Sequence, residues 1–255
     1  MISSSEVQDR ASGSKPRRIL ISGGTSGIGE ACAAHLANKE DRVWVLGSRP
    51  DKVAAVLARC GGLAGATVCD VVDEARVEAA VAEAAQGLGG LDGVFVNAGI
   101  DGQGVLARDL DAAHFRRVLD VNVLGAFTVA RAALRVLSRP GTIVFNASVN
   151  ALRPETGFTD YNASKAAVAS MAKTMALELS AEGIAVMALC PGYFPTPMTS
   201  PYLADEKVRE ELLTRIPARR FGALPEVAAV VDFLLSPAAA YMTGSIVSLD
   251  GGASI

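Results

Sequence analysis

The sequence predicts an α/β protein built on one doubly wound, seven-stranded parallel sheet with helices on both faces. Three observations predict it. Strand-like apolar runs alternate with helix-like segments along the chain. Several runs, such as Ile184-Ala185-Val186-Met187-Ala188-Leu189, are apolar at every position, the pattern of a strand buried on both faces. The first run stops at a glycine-rich turn, Gly23-Gly24-Thr25-Ser26-Gly27-Ile28-Gly29, that leads straight into a helix pattern.

In order, strands are expected at residues 18–22, 43–47, 66–69, 93–97, 142–147, 184–190 and 245–249. Between them, helix patterns run from Glu30 to Asn38, Asp51 to Arg59, Asp73 to Gln86, Asp111 to Leu137, Asp160 to Ala181 and Pro225 to Leu235. Such repeats call for right-handed crossovers between parallel strands. No Gly/Ser/Pro linker interrupts them, so residues 16–255 read as one domain behind a disordered polar leader, residues 1–15. A stretch of about 193–220, stiffened at its start by Pro195, Pro197 and Pro201, reads as a lid.

Composition removes several functions. The 255 residues are 50% hydrophobic and 20% charged, enough to bury a large core, with a net charge of −3. No basic cluster exceeds Lys15-Pro16-Arg17-Arg18, so nucleic acid has no electrostatic footprint. No run approaches the roughly 20 apolar residues of a membrane span. Cys32, Cys60, Cys69 and Cys190 lack zinc spacing and read as reduced thiols, which makes the cytoplasm the default location. His35 and His114 complete no metal set.

Chemistry concentrates in Tyr161-Asn162-Ala163-Ser164-Lys165, with Ser148 upstream. Residues four apart share a helix face, so Tyr161 and Lys165 project together. A phenol is a poor base at neutral pH, and a nearby ammonium stabilises its phenolate. The glycine turn after the first strand supplies a second function: glycines let a phosphate approach the backbone, and a helix start offers unpaired N–H donors. Its spacing is G-x-x-x-G-x-G. Strand ends at Asp70, Asn97-Ala98-Gly99 and Pro191-Gly192 would open on the same sheet edge, where ligands of such sheets sit.

Together with Asn122 in Asp120-Val121-Asn122-Val123 and the run Pro191 to Met198, these motifs resemble the short-chain dehydrogenase/reductase family, in register from about residue 16 to 252. The resemblance implies a Rossmann-type fold and a nicotinamide dinucleotide. It implies Tyr161 as general acid/base, Lys165 lowering the Tyr161 pKa and binding the nicotinamide ribose, Ser148 fixing the substrate oxygen, and Asn122 holding a water that connects Lys165 to solvent. It implies pyrophosphate contacts at Gly23, Gly27, Ile28 and Gly29 beside Thr25 and Ser26, adenine contacts at Asp70 and Val71, ribose contacts at Asn97, Ala98 and Gly99, and carboxamide contacts at Pro191, Gly192 and Thr196. Asp70 also reads as a helix N-cap. Ser22 stands where Thr is usual and keeps the hydroxyl.

Cofactor choice depends on the end of the second strand, Val43-Trp44-Val45-Leu46-Gly47-Ser48-Arg49-Pro50. Gly47 occupies the place of the acid that binds the 2′-hydroxyl of NAD, while Ser48 and Arg49 suit a 2′-phosphate. NADP(H) is favoured and NAD(H) stays open. Ser148, Asn150, Tyr161 and Tyr193 are the expected substrate contacts, with Arg153 and Glu155 in the same loop.

The leading function is a ketone reductase or alcohol dehydrogenase for a small-molecule substrate. An alternative is reduction of a 3-oxoacyl thioester on an acyl carrier protein, for which Arg153, Arg219 and Arg220 are too few basic groups. A third reading, a dinucleotide-binding regulator without turnover, has no need of the full Asn122, Ser148, Tyr161 and Lys165 set. The resemblance further implies a homotetramer or homodimer packed through the segments Asp111 to Leu137 and Asp160 to Ala181, the second carrying Ala163, Ala166, Ala167, Ala169 and Ala172.

Overall fold

In a computed structural model that describes residues 15–255, seven strands form one sheet: β1 (Arg18–Ser22), β2 (Arg42–Gly47), β3 (Gly65–Val68), β4 (Leu91–Val96), β5 (Leu137–Asn146), β6 (Ile184–Pro191) and β7 (Ile246–Leu249). Their order is β3-β2-β1-β4-β5-β6-β7 and each neighbouring pair is parallel. The expected leader, apart from Lys15, lies outside the described residues.

Alternation along each strand explains the continuous apolarity. Leu20, Val94 and Phe145 point to one face, under α3 (Glu74–Leu88), α5 (Ala126–Leu134) and α6 (Thr159–Leu179). Ile19, Ile21, Phe95 and Val144 point to the other, under α1 (Gly27–Asn38) and α9 (Leu224–Leu234). Both faces are therefore dry, as a parallel sheet requires. α2 (Pro50–Arg59) packs beside β2 and β3, and α4 (Ala112–Leu119) precedes α5. Strand order reverses between β1 and β4, so a crevice opens there at the carboxyl ends of the strands.

The expected helix Asp111 to Leu137 differs from what forms. Asp111 is the N-cap, its carboxylate accepting from the Ala113 N–H at 2.9 Å. α4 then passes through a π turn, Asp120–Gly125, into α5 without leaving helical backbone angles. Leu137 instead starts β5, opposite Leu91 of β4. A periodicity argument cannot detect a single wide turn, because the inserted residue only rotates the pattern. Between β6 and α9 the expected lid contains two short helices, α7 (Ser200–Ala204) and α8 (Glu206–Arg215). On α6, Ala169 and Ala172 are buried in the core, so only Ala163 and Ala166 of the expected alanine surface are exposed and Ala167 is half-buried.

Candidate functional site

The glycine turn is shaped by contacts that leave no room for side chains. Gly23 and Gly27 have φ of 65° and 56°, the left-handed region that glycine enters without cost. A Cβ on Gly29 would lie 2.2 Å from the Gly23 carbonyl oxygen and 2.5 Å from the Asn97 amide. Gly29 is thus buried under the turn, behind the residues that line the cleft. Ser26 is the N-cap of α1 in extended geometry and makes no side-chain hydrogen bond to the helix, so the first-turn N–H groups are not capped by its hydroxyl, and Ser26 lines the cleft.

Asn97 binds the strand ends together. Its amide donates to the Ser22 and Gly23 carbonyls at 3.2 and 3.0 Å, and its carbonyl accepts from the Asn146 amide at 2.8 Å. The Ser22 hydroxyl accepts from the N–H groups of Asn97 and Ala98 at 3.0 and 3.2 Å, which is why a hydroxyl suffices at that position. Helix capping near Asp70 belongs to Asp73, whose carboxylate accepts from Arg76 N–H, leaving Asp70 exposed at the cleft.

A cleft of about 400 Å³ runs across these strand ends. It is lined by the turn from Gly23 to Ile28 except Gly24, by Ser48, Arg49, Asp70, Val71, Asn97, Ala98 and Gly99, and by Ser148, Tyr161, Lys165, Pro191, Gly192 and Thr196. Gly27 and Thr196 approach from opposite walls, where a Cβ on Gly27 would lie 3.3 Å from the Thr196 Cβ. Gly47 is buried, and a Cβ there would meet Thr25 at 2.4 Å. Beside it Ser48 and Arg49 are exposed.

At the other end of the cleft Lys165 is 4% exposed, its ammonium donating to the Asn146 carbonyl at 2.8 Å and lying 5.5 Å from the centre of the Tyr161 ring. Burial pulls Lys165 down to about 8. Burial pushes the Tyr161 phenol up, the Asp101 carboxylate pushes it further, and the Ser148 hydroxyl pulls the other way. The expected lowering of Tyr161 by Lys165 is therefore outweighed by desolvation of the phenol.

Asn122 does not line the cleft. Its carbonyl oxygen accepts from Ile100 N–H at 2.8 Å, and its amide donates to the Ile100 carbonyl and the Ser164 hydroxyl at 2.9 and 3.0 Å. The side chain is committed to tying the loop after β4 to α6. Asn150 and Tyr193 also stand outside the cleft walls. The Asn150 amide donates to Asn162 at 2.8 Å and its N–H donates to the Ser148 hydroxyl at 3.1 Å, so Asn150 orients Ser148 from behind.

Sequence reasoning missed Asn146, whose carbonyl seats Lys165 and whose amide reaches Asn97. Its place two residues before Ser148, at the end of β5, was the available signal. It also missed Asp160. That carboxylate is 0% exposed and accepts from Tyr161 N–H at 2.8 Å and Gln103 N–H at 3.0 Å, and it meets His114 Nδ1 at 2.9 Å. Among the described residues no group of His, Cys, Asp and Glu converges as a metal site, and no helix is long and apolar enough to cross a membrane.

The chain is similar to known proteins in sequence and fold. A family model described as enoyl-(acyl carrier protein) reductase matches residues 23–254. Levodione reductase of Leifsonia aquatica is 34% identical over 251 residues, 93% of this chain and 94% of its own length. The structure of 3-ketoacyl-(acyl-carrier-protein) reductase from Brucella melitensis complexed with NADH superposes with a TM-score of 0.86 at 30% identity, covering 94% of this chain and 98% of that one. A short chain dehydrogenase from Burkholderia cenocepacia in complex with NADP gives 0.85 at 32% identity, covering 94% and 98%.

Proposed function

Because the chain belongs to the short-chain dehydrogenase/reductase family, we propose that it is a nicotinamide-dinucleotide-dependent oxidoreductase interconverting a ketone and a secondary alcohol. The observation that carries this reading is the convergence of Tyr161, Lys165 and Ser148 with the glycine turn before α1 in one cleft.

A nicotinamide dinucleotide held in this cleft would supply or receive the hydride. Gly23, Thr25, Ser26, Gly27 and Ile28 would hold its pyrophosphate through backbone N–H groups and the Ser26 hydroxyl. Asp70 and Val71 would face the adenine, Asn97 to Gly99 the adenosine ribose, and Pro191, Gly192 and Thr196 the carboxamide. Ser148, oriented by Asn150, donates to the substrate oxygen. Tyr161 gives its proton to that oxygen during reduction and takes it back during oxidation. Lys165, titrating near 8, exchanges protons with solvent close to working pH and binds the nicotinamide ribose. Since the Asn122 side chain is fully engaged, water on the relay would be held by its backbone carbonyl, in the π turn.

NADP(H) is the favoured dinucleotide. An acid at position 47 would collide with Thr25, and the neighbouring exposed groups are a hydroxyl and a guanidinium. Arg49→Ala is expected to raise KM for NADPH by roughly tenfold or more, the value of a charge-assisted contact, with little effect on NADH. Equal effects on both would defeat the assignment.

Carrier-protein substrates are disfavoured because two of the three nearby cations are engaged: Arg220 pairs with Glu226 at 2.7 Å and Arg153 donates to the Ala253 carbonyl at 2.7 Å. We further assign a homotetramer or homodimer, supported by the exposure of Leu124 and Phe127 and of Ala163 and Ala166, and a cytoplasmic location suited to four free thiols. Light scattering showing a monomer at micromolar concentration would remove the oligomer assignment. For the function itself, purified protein is assayed with NADPH and NADH across a ketone panel beside Tyr161→Phe. Absence of turnover, or a variant as active as the parent, would sink the proposal.

A further inference from the structure

We propose that Asp101 selects the substrate by accepting a hydrogen bond from a hydroxyl close to the reacting carbon, so that hydroxylated ketones and polyols are preferred over plain ketones. The inference rests on Tyr161 being the proton carrier, as argued above.

Asp101 belongs to the loop after β4, and the next residue brings that loop against Tyr161. A Cβ on Gly102 would lie 3.1 Å from the Tyr161 Cβ and 2.6 Å from Asp160 Oδ1. The Asp101 carboxylate is half-buried there. Its Oδ1 accepts from Gly102 N–H at 2.8 Å, and its Oδ2 accepts from the Tyr202 hydroxyl at 2.7 Å. Tyr202 comes from α7, more than 100 residues away in sequence, and is held edge-on against Phe158 with ring centres 6.0 Å apart. The Tyr202 phenol shows that this oxygen receives an O–H donor, in a loop that packs against Tyr161.

The charge balance points the same way. A carboxylate offers about four acceptor positions, and the two named donors fill two of them. Lys165 and Tyr161 are near enough for their titration to feel the Asp101 charge, yet Lys165 spends its ammonium on Asn146. Burial raises the Asp101 pKa, against the pull of its Tyr202 and Gly102 donors. On the opposite loop Glu155 brings a second carboxylate, bound to exposed Arg215 at 2.9 Å. Neutral substrates rich in O–H donors complement this wall, and carboxylate substrates are repelled by it.

The test compares alcohols that differ by one hydroxyl, cyclohexanol with the cyclohexane-1,2-diols and propan-2-ol with propane-1,2-diol, oxidised by the full chain with NADP+. The readout is the ratio of kcat/KM for diol over mono-ol, taken within one preparation so that partial misfolding cancels. The parent enzyme is expected to favour the diol by roughly 10–100-fold, the worth of a hydrogen bond to a charged group. Asp101→Asn is expected to collapse most of that ratio, and Tyr202→Phe to keep it. A parent ratio near one, a ratio that survives Asp101→Asn, or one lost equally in Tyr202→Phe would overturn the proposal. If mono-ols are turned over with dependence on Tyr161 and no diol preference is seen, only this inference falls. If no alcohol or ketone is turned over, the catalytic reading falls and this one with it.

Discussion

Removal of the Asp160 carboxylate is the sharpest probe of how the fold holds its reacting phenol. The side chain is 0% exposed and takes donors from three elements: Tyr161 N–H on α6, Gln103 N–H in the loop after β4, and His114 on α4. Asp160→Ala leaves all three without their acceptor. Tyr161 N–H lies in the first turn of a helix and can turn to water, so two losses count fully. With charge-assisted bonds worth about 1.5–3 kcal/mol each, and relief from desolvating the carboxylate set against them, the net cost is about 3–5 kcal/mol. For a chain of this size that corresponds to a fall of roughly 10 °C in Tm. Urea unfolding followed by circular dichroism measures the stability, and steady-state kinetics at saturating dinucleotide measures kcat. Loosening of the loop and of the start of α6 should lower kcat more than the folded fraction falls. Asp160→Asn keeps the shape and should lose about half as much stability. An Asp160→Ala protein within about 1 kcal/mol of the parent, with unchanged kcat, would refute the reasoning.

Two further perturbations test other parts of the site. Gly29→Ala replaces a helical glycine, which ordinarily stabilises by about 0.5–1 kcal/mol, but the new Cβ would meet the Gly23 carbonyl oxygen at 2.2 Å. Overpacking of that kind costs about 1–3 kcal/mol, so a lower Tm and weaker dinucleotide binding are expected, and a raised Tm would contradict the packing. Lys165 carries a pH signature. Its folded pKa, about 8, lies below the ordinary lysine value of 10.5, so the unfolded chain binds more protons between those values and stability rises with pH across that window. Below pH 8 the full burial cost of about 3 kcal/mol applies. Lys165→Met should therefore be the more stable protein at pH 7, with the gap narrowing as pH is raised from 8 to 10. A gap independent of pH in equilibrium unfolding would show that Lys165 is not desolvated.

Much of this molecule is legible because its determinants are local. Apolarity on both faces of Ile184 to Leu189 marks a strand that must be covered twice, and it became β6. Gly23 to Gly29 could be read as a turn before a helix because positive φ and a free helix start are properties of those residues alone. The spacing of Tyr161 and Lys165 on one helix face follows from 3.6 residues per turn, and both do line one cleft.

What the sequence left open depends on residues that meet only after folding. Asn122 reads as a polar group near a site, yet its partners are Ile100 and Ser164, brought together by β4 and α6. The π turn around it is invisible to periodicity, and the packing of Gly29 against Gly23 is fixed by Asn97 across the strand ends. Tyr161 gives the clearest division. From sequence alone a phenol four residues from an ammonium should titrate low, and that inference is sound for an exposed helix. In the fold the phenol is desolvated, the Asp101 charge opposes its ionisation, and Lys165 is turned to the Asn146 carbonyl. The sequence by itself determined that Ser148, Tyr161, Lys165 and the turn from Gly23 reach one cleft, through the positions of strand ends, turn and helix spacing. Only the tertiary structure decided the charge each carries there, because burial and charged neighbours distant in the chain govern the cost of ionisation.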